Sequence, residues 1–157
     1  MSESNHSGQF LENIVKSELL ARGFLCLQHG IDADNHHLFE PKRLVLNAPY
    51  TSLYGCEARS EFIGIDQNAD RRFRIECRFQ GVSGSVDEKF PYLLRNAAEC
   101  MPENEIIILI GGDGARKEAV SWLKSEARKI HYKCISIFSV SEFMQWVKQF
   151  PITRKAA

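Results

Sequence analysis

Residues 71–84 read RRFRIECRFQGVSG, and within them Glu76, Arg78 and Gln80 recur at every second position. In an extended strand such residues share one face. Glu61 stands in another short segment, residues 59–65, separated from the first by DQNADR, a turn rich in Asp and Asn. An antiparallel hairpin centred near Ala69 sets Glu61 opposite Glu76 or Cys77, with directly opposed Cβ atoms about 4.5–5.5 Å apart. Asp66, the rival acid, sits at the turn, mirrors Arg72, and stands about 10–13 Å from Glu76 at strand rise.

Two carboxylates brought together on a sheet repel unless something compensates them. A hard divalent cation such as Mg²⁺ does so, because it takes oxygen ligands and completes its octahedron with water. Such a centre lowers the pKa of a bound water and stabilises the charge that builds up during phosphodiester hydrolysis. Arg78, one step along the face, is placed to orient the nucleophile or to neutralise a developing phosphate charge. The plainer reading of Glu76 and Arg78 is a polar face with cross-strand ion pairs to Glu61. Arg59, Arg71, Arg72 and Arg74 make a local basic surface suited to phosphates, or else a solvated hairpin tip balanced by Asp66 and Asp70.

Other motifs carry less. The GGDG of residues 111–114 fits neither the dinucleotide nor the Walker pattern and reads as a strand-to-helix turn. Neither His29 nor the adjacent His36 and His37 makes a zinc site, because neighbouring side chains diverge and no cysteine pair supports them.

The elements that must hold these residues follow from periodicity. Residues 8–22 place Phe10, Leu11, Ile14, Val15 and Leu19 on one side of a helix that Gly23 ends. Residues 24–29 read as a strand. Residues 30–55 read as a long irregular excursion with a short strand at Arg43–Leu46, and loops of that length are usually functional. After the hairpin, Ser85 and Glu88 form a capping-box pattern, with a helix starting at Pro91. EIIILI (105–110) is apolar throughout, as expected of a strand covered on both faces. A helix within 115–129, a strand at 133–139 and a final amphipathic helix complete the chain. Strand–helix alternation in this half predicts parallel pairing. The expected fold is a three-layer α/β sandwich around a central mixed sheet, in a single domain of 157 residues.

The formal net charge is zero, so nucleic-acid binding has to rest on a local basic face. The five cysteines include no CxxC pair and predict reduced, buried thiols. The polar start MSESNHSGQF lacks the apolar core of a signal peptide, and the expected location is cytoplasmic.

Glu61, then Glu76-Cys77-Arg78 with Gln80 and the GSVDEK segment, resembles the PD-(D/E)XK nuclease superfamily, whose fold is that of restriction endonucleases. The likeness spans roughly Gly8 to Val147, with 30–55 as its variable part. GQFLENIVKSELLARGF is similar to that family's first helix, and Glu12 matches its acid. Glu18, nearer the middle of the apolar stripe, competes with Glu12. SEFIGI resembles the strand carrying the first motif acid, and IECRFQ the strand with the acid-x-lysine pair. The resemblance implies a Mg²⁺- or Mn²⁺-dependent endonuclease acting on DNA as a monomer or a homodimer. It further implies that Glu61 and Glu76 bind the metal, with Glu12 assisting the metal or its water, and Gln80 orienting the site. Arg78 replaces the motif lysine, and Lys89 is a candidate to supply a migrated ammonium. Arginine stays protonated and cannot act as a base, although it can hold phosphate bidentately. Two other readings follow from that departure and from the neutral charge. One is a nuclease-fold protein without catalysis that binds nucleic acid or a partner protein; the other is a junction-selective resolvase.

Overall fold

Leu11, Val15 and Leu19 recur at three- and four-residue spacing and are all fully buried on α1, Glu3–Leu20, in a computed structural model that describes residues 3–30 and 40–152. The helix begins earlier than its apolar stripe predicts, and Phe10, expected on that stripe, is exposed. Gly23 follows with φ of 88°, a left-handed conformation that closes the helix without a Cβ clash.

Among the described residues six strands follow: β1 Leu25–Gln28, β2 Lys42–Thr51, β3 Glu57–Asp66, β4 Arg71–Phe79, β5 Glu105–Gly111 and β6 Cys134–Phe138. They form one sheet in chain order, β1-β2-β3-β4-β5-β6. Pairs β1–β2, β4–β5 and β5–β6 are parallel, whereas β2–β3 and β3–β4 are antiparallel. The parallel half arises as the alternation predicts.

The excursion expected over 30–55 is overturned in its second part. Lys42–Thr51 is a ten-residue strand, not a four-residue one. Pro49, and Asn47 with φ of 53°, interrupt its alternation and hide it from a pattern search. Pairing to β3, from Lys42↔Asp66 to Thr51↔Glu57, overrides those local signals. His36 and His37 lie outside the described residues.

The β3–β4 hairpin forms as expected, one step displaced at its tip, where Asp66 mirrors Arg71 rather than Arg72. Asp66 Oδ1 accepts the backbone N–H groups of Asn68 and Ala69, which closes the turn.

Among the described residues four α-helices cover the sheet. Besides α1 they are α2 Phe90–Arg95, α3 Lys117–Arg128 and α4 Val140–Trp146. On one face α1 and α4 pack on Phe62, Ile75, Cys77, Ile107 and Leu109; on the other, α2 and α3 pack on Ile106, Ile108 and Ile110. Strand β5 thus sends alternate residues into two cores, which explains its unbroken apolar run. The observed architecture is the expected three-layer mixed-sheet sandwich.

The capping box at Ser85 and Glu88 does not form. A 3-10 turn at Asp87–Lys89 leads into α2 without a side-chain cap. Asp87 is buried instead, and accepts from the backbone and guanidinium of Arg116. A capping box does form at Ser139 and Glu142, at the start of α4. Of the five cysteines, all free, only Cys77 is buried. Among the described residues no helix is long and apolar enough to cross a membrane.

Candidate active site

The β3–β4 ladder ends at Phe62↔Ile75, and the next residues use their side chains instead. The Cys77 amide, past the last ladder pair, donates to Glu61 Oε2 at 2.8 Å. A change of facing accompanies this. Ser60 and Phe62 are two apart and would share a face in a regular strand. Phe62 packs beneath α1, yet Ser60 reaches Glu76 and Arg74 on the opposite face. Glu61 lies at the switch, between the pairs Leu46↔Phe62 and Ala48↔Ser60, where Asn47 takes its positive φ.

Glu76 is fully buried. Its Oε1 accepts from Ser60 Oγ at 2.8 Å. Its Oε2 makes no hydrogen bond but lies 2.8 Å from Arg78 Nη2, a contact of charge without hydrogen-bond geometry. Arg78 Nη1 donates to the Cys77 carbonyl at 2.8 Å and stands 3.7 Å from Glu61 Oε1. The two acids and one carbonyl therefore turn oxygens toward a single guanidinium, whose side chain is 34% exposed. This is the convergence of Glu61, Glu76 and Arg78 that the hairpin predicts.

Burial, then the neighbouring Glu76 carboxylate, pushes the Glu61 carboxyl up to about 7, against the opposing pull of the Cys77 amide and Arg78. The two acids do not comfortably share their negative charge. Burial raises the Cys77 thiol well above its ordinary value, and Glu61, Glu12 and Glu76 add to the effect. That keeps Cys77 protonated, and it places Glu12 on α1 within electrostatic range of Cys77. Glu18, its competitor, pairs with Arg22 at 2.6 Å.

Ser60, which sequence reasoning missed, and Arg74, which it assigned to the basic surface, together hold Glu76 in place. Arg74 is 1% exposed. Its guanidinium donates to both oxygens of buried Glu103, to the carbonyls of Ala48 and Pro49, and to Ser60 Oγ. Ser60 in turn donates its hydroxyl hydrogen bond to Glu76, so the buried network fixes one oxygen of that acid. Ser60 stands next to Glu61 in the sequence, but its facing depends on the switch in β3.

The expected basic surface is largely corrected. Arg74 is sealed from solvent and cannot meet a phosphate. Arg71 forms a two-pronged pair with Glu105 and packs over Phe73, Trp146 and Phe150. Arg72 is half-exposed beside Glu103, and Arg59 is exposed beside Glu57. Gln80 is buried and spends its amide elsewhere, donating to the Gly114 carbonyl and accepting from the Asp87 N–H. It does not reach the acids; it fastens the GGDG turn, where a Cβ on Gly112 would fall 2.2 Å from the Gln80 carbonyl oxygen. Lys89 is exposed at the end of its 3-10 turn, outside the cluster.

Among the described residues no three acids, histidines or cysteines gather as a metal cage. Mg²⁺ commonly needs no such cage and is often held by one or two carboxylates, with water and substrate phosphate filling the remaining positions. The buried Oε2 of Glu76, charged and without a hydrogen bond, is the atom such an ion would satisfy. The residues present fit a hard divalent cation.

A family model described as a PD-(D/E)XK nuclease superfamily domain matches residues 3–150, nearly the whole chain, and the protein belongs to that superfamily. Its nucleases generally use divalent metals. No curated protein and no solved structure matches the chain.

Proposed function

We propose that this protein is a metal-dependent endonuclease that hydrolyses phosphodiester bonds in DNA. The observation that carries the reading is the pair of acids turned toward one cation, with Glu76 Oε2 buried and without a hydrogen bond. Glu61 and Glu76 would hold Mg²⁺ or Mn²⁺, which when bound supplies an acidified water and positive charge for the phosphate. Ser60 keeps Glu76 in one rotamer, and the Cys77 amide does the same for Glu61. Glu12, held on α1, contributes negative charge that favours the cation and helps orient its water. Arg78, part exposed, swings from the acids onto the non-bridging phosphate oxygens as charge accumulates there. Gln80 acts only indirectly, by fixing the loop that follows β4. Lys89 is free to approach the phosphate from that loop.

Purified protein incubated with supercoiled, linear and branched DNA plus Mg²⁺ or Mn²⁺ tests the reading. Cutting by the parent and none by Glu76→Ala is expected. Identical behaviour of the two proteins would remove the enzymatic reading. Cutting confined to branched DNA would mark a junction resolvase.

One observation favours a second reading, a nuclease-fold protein that only binds nucleic acid or a partner. Arg78 offsets one of the two acid charges and a proton held on Glu61 up to about 7 offsets the other, so the site can be charge-balanced without a metal. Arg78→Lys separates the two. An enzyme keeps or raises its cutting with the smaller ammonium, and a binding protein cuts with neither residue.

A further inference from the structure

Tyr54 and Tyr92 stack with ring centroids 5.0 Å apart and planes at 21°. Tyr54 stands in the β2–β3 turn and is 79% exposed, while Tyr92, on α2, is only 37% exposed. Tyr92 covers one face of the Tyr54 ring, and at that exposure the other face is open to water. The ring is held in place before anything binds. Ser52 and Cys56 close the turn at 2.9 Å, and the Leu53 amide donates to Oδ1 of buried Asn96, also at 2.9 Å. A rigid aromatic loses little conformational entropy on binding.

A third tyrosine links this stack to the acids. Tyr50 is half-buried, with the Arg74 guanidinium 5.4 Å from its ring. Burial first, then Glu76, pushes its phenol up to about 12, and Tyr92 is also within electrostatic range. Tyr50 also packs against the core covered by α2, the helix that carries Tyr92. From Ser60, which touches Glu76, the path is three strand steps to Glu57 and then the turn, roughly 10–15 Å. Two guanidiniums flank the outer end, Arg59 beside Glu57 and Arg95 beside Glu99.

We propose that the open face of Tyr54, backed by Tyr92, stacks an unpaired nucleobase of the DNA strand held at Glu61 and Glu76. With the platform roughly 10–15 Å from Glu76, the stacked base lies a few nucleotides from the phosphate being cut. The inference rests on the nuclease reading and adds the substrate class. A ring face accepts any base, so it selects for unstacked strand and not for sequence. In an intact duplex each base is already stacked on its neighbours and has no face to offer.

The test measures anisotropy of fluorescein-labelled DNA, single-stranded and blunt duplex, with full-length protein carrying Glu76→Gln to prevent cutting. Adding Tyr54→Ala weakens single-strand binding by about tenfold or more and duplex binding by under about twofold. Tyr54→Trp restores the affinity, and its fluorescence is quenched by the bound strand. An abasic residue walked along the strand weakens binding most at one position a few nucleotides from the cut mapped with the parent, and little elsewhere. Unchanged single-strand affinity in Tyr54→Ala, or an equal loss on both DNAs, overturns the stacking proposal. A lowered melting temperature with unchanged affinity assigns the tyrosines to packing and also overturns it. If the parent cuts DNA while Tyr54→Ala leaves single-strand binding unchanged, stacking alone fails. If the parent neither binds nor cuts any DNA, the nuclease reading fails with it.

Discussion

Arg74 and Arg78 are four residues apart on the same face of β4, and each meets a buried glutamate, yet they serve different ends. Arg74 is sealed in, and both of its terminal nitrogens and its Nε donate hydrogen bonds to Glu103, Ser60 and two backbone carbonyls. Arg78 is a third exposed and makes one hydrogen bond, to a carbonyl beside it, while touching its acids through charge alone. A fully bonded buried pair specifies structure. A partly bonded pair that solvent can reach is one that a cation or a phosphate can rearrange. Ser60 joins the two, accepting from Arg74 and donating to Glu76.

Matched substitutions should break this contrast most visibly. Arg74→Met leaves buried Glu103 with only the half-exposed Arg72 as a charged partner, and should cost about 3 kcal/mol of stability by urea denaturation. Arg78→Met should cost under about 1.5 kcal/mol, because solvent reaches the site and screens it. It should instead lower cleavage by about 10²–10³-fold with the fold intact by circular dichroism. Equal losses of stability in the two variants would erase the distinction. Ser60→Ala tests the link between them, and should slow cleavage by about 10–100-fold while costing roughly 1 kcal/mol.

The acid pair also has a pH signature. The folded protein holds a proton on Glu61 up to about 7, whereas an ordinary glutamate loses it near 4.5. Between those values the folded state binds more protons than the unfolded state. This group therefore makes the metal-free protein less stable as pH rises, by at most about 1.4 kcal/mol per pH unit, and has no further effect above about 7. Metal affinity should run the opposite way, climbing to about pH 7 and then levelling, as read by calorimetric titration with Mn²⁺. The buried Arg74–Glu103 pair should show no such metal linkage. The smallest effect is expected at the rim. Arg59→Ala should weaken DNA binding only a few-fold and reduce the salt slope by about 1.

Much of the site was legible because a hairpin converts sequence spacing into proximity. Turn residues at 66–71 set the centre of the hairpin, and alternation then put Glu61 near Glu76 and Arg78 on the same face. Arg74 shows where that logic stops. Its charge suggested a phosphate contact, but Glu103, which buries it, comes from the segment before β5, far along the chain. Gln80 misled for a similar reason, since its position on the strand face was right and its side-chain partners are Gly114 in the 111–114 turn and the Asp87 amide. Strand β2 was hidden because Pro49 and Asn47 break its pattern, and only pairing with β3 makes it a strand.

The sequence by itself determined the order of elements in the C-terminal half, the hairpin and the identity of the paired acids, since all of these depend on local periodicity and turn chemistry. Tertiary structure decided which arginine is sealed and which is open, that Ser60 turns toward Glu76, and that Tyr54 rests on Tyr92 near the site. Those outcomes depend on burial and on partners distant in the chain, and no local pattern of residues encodes them.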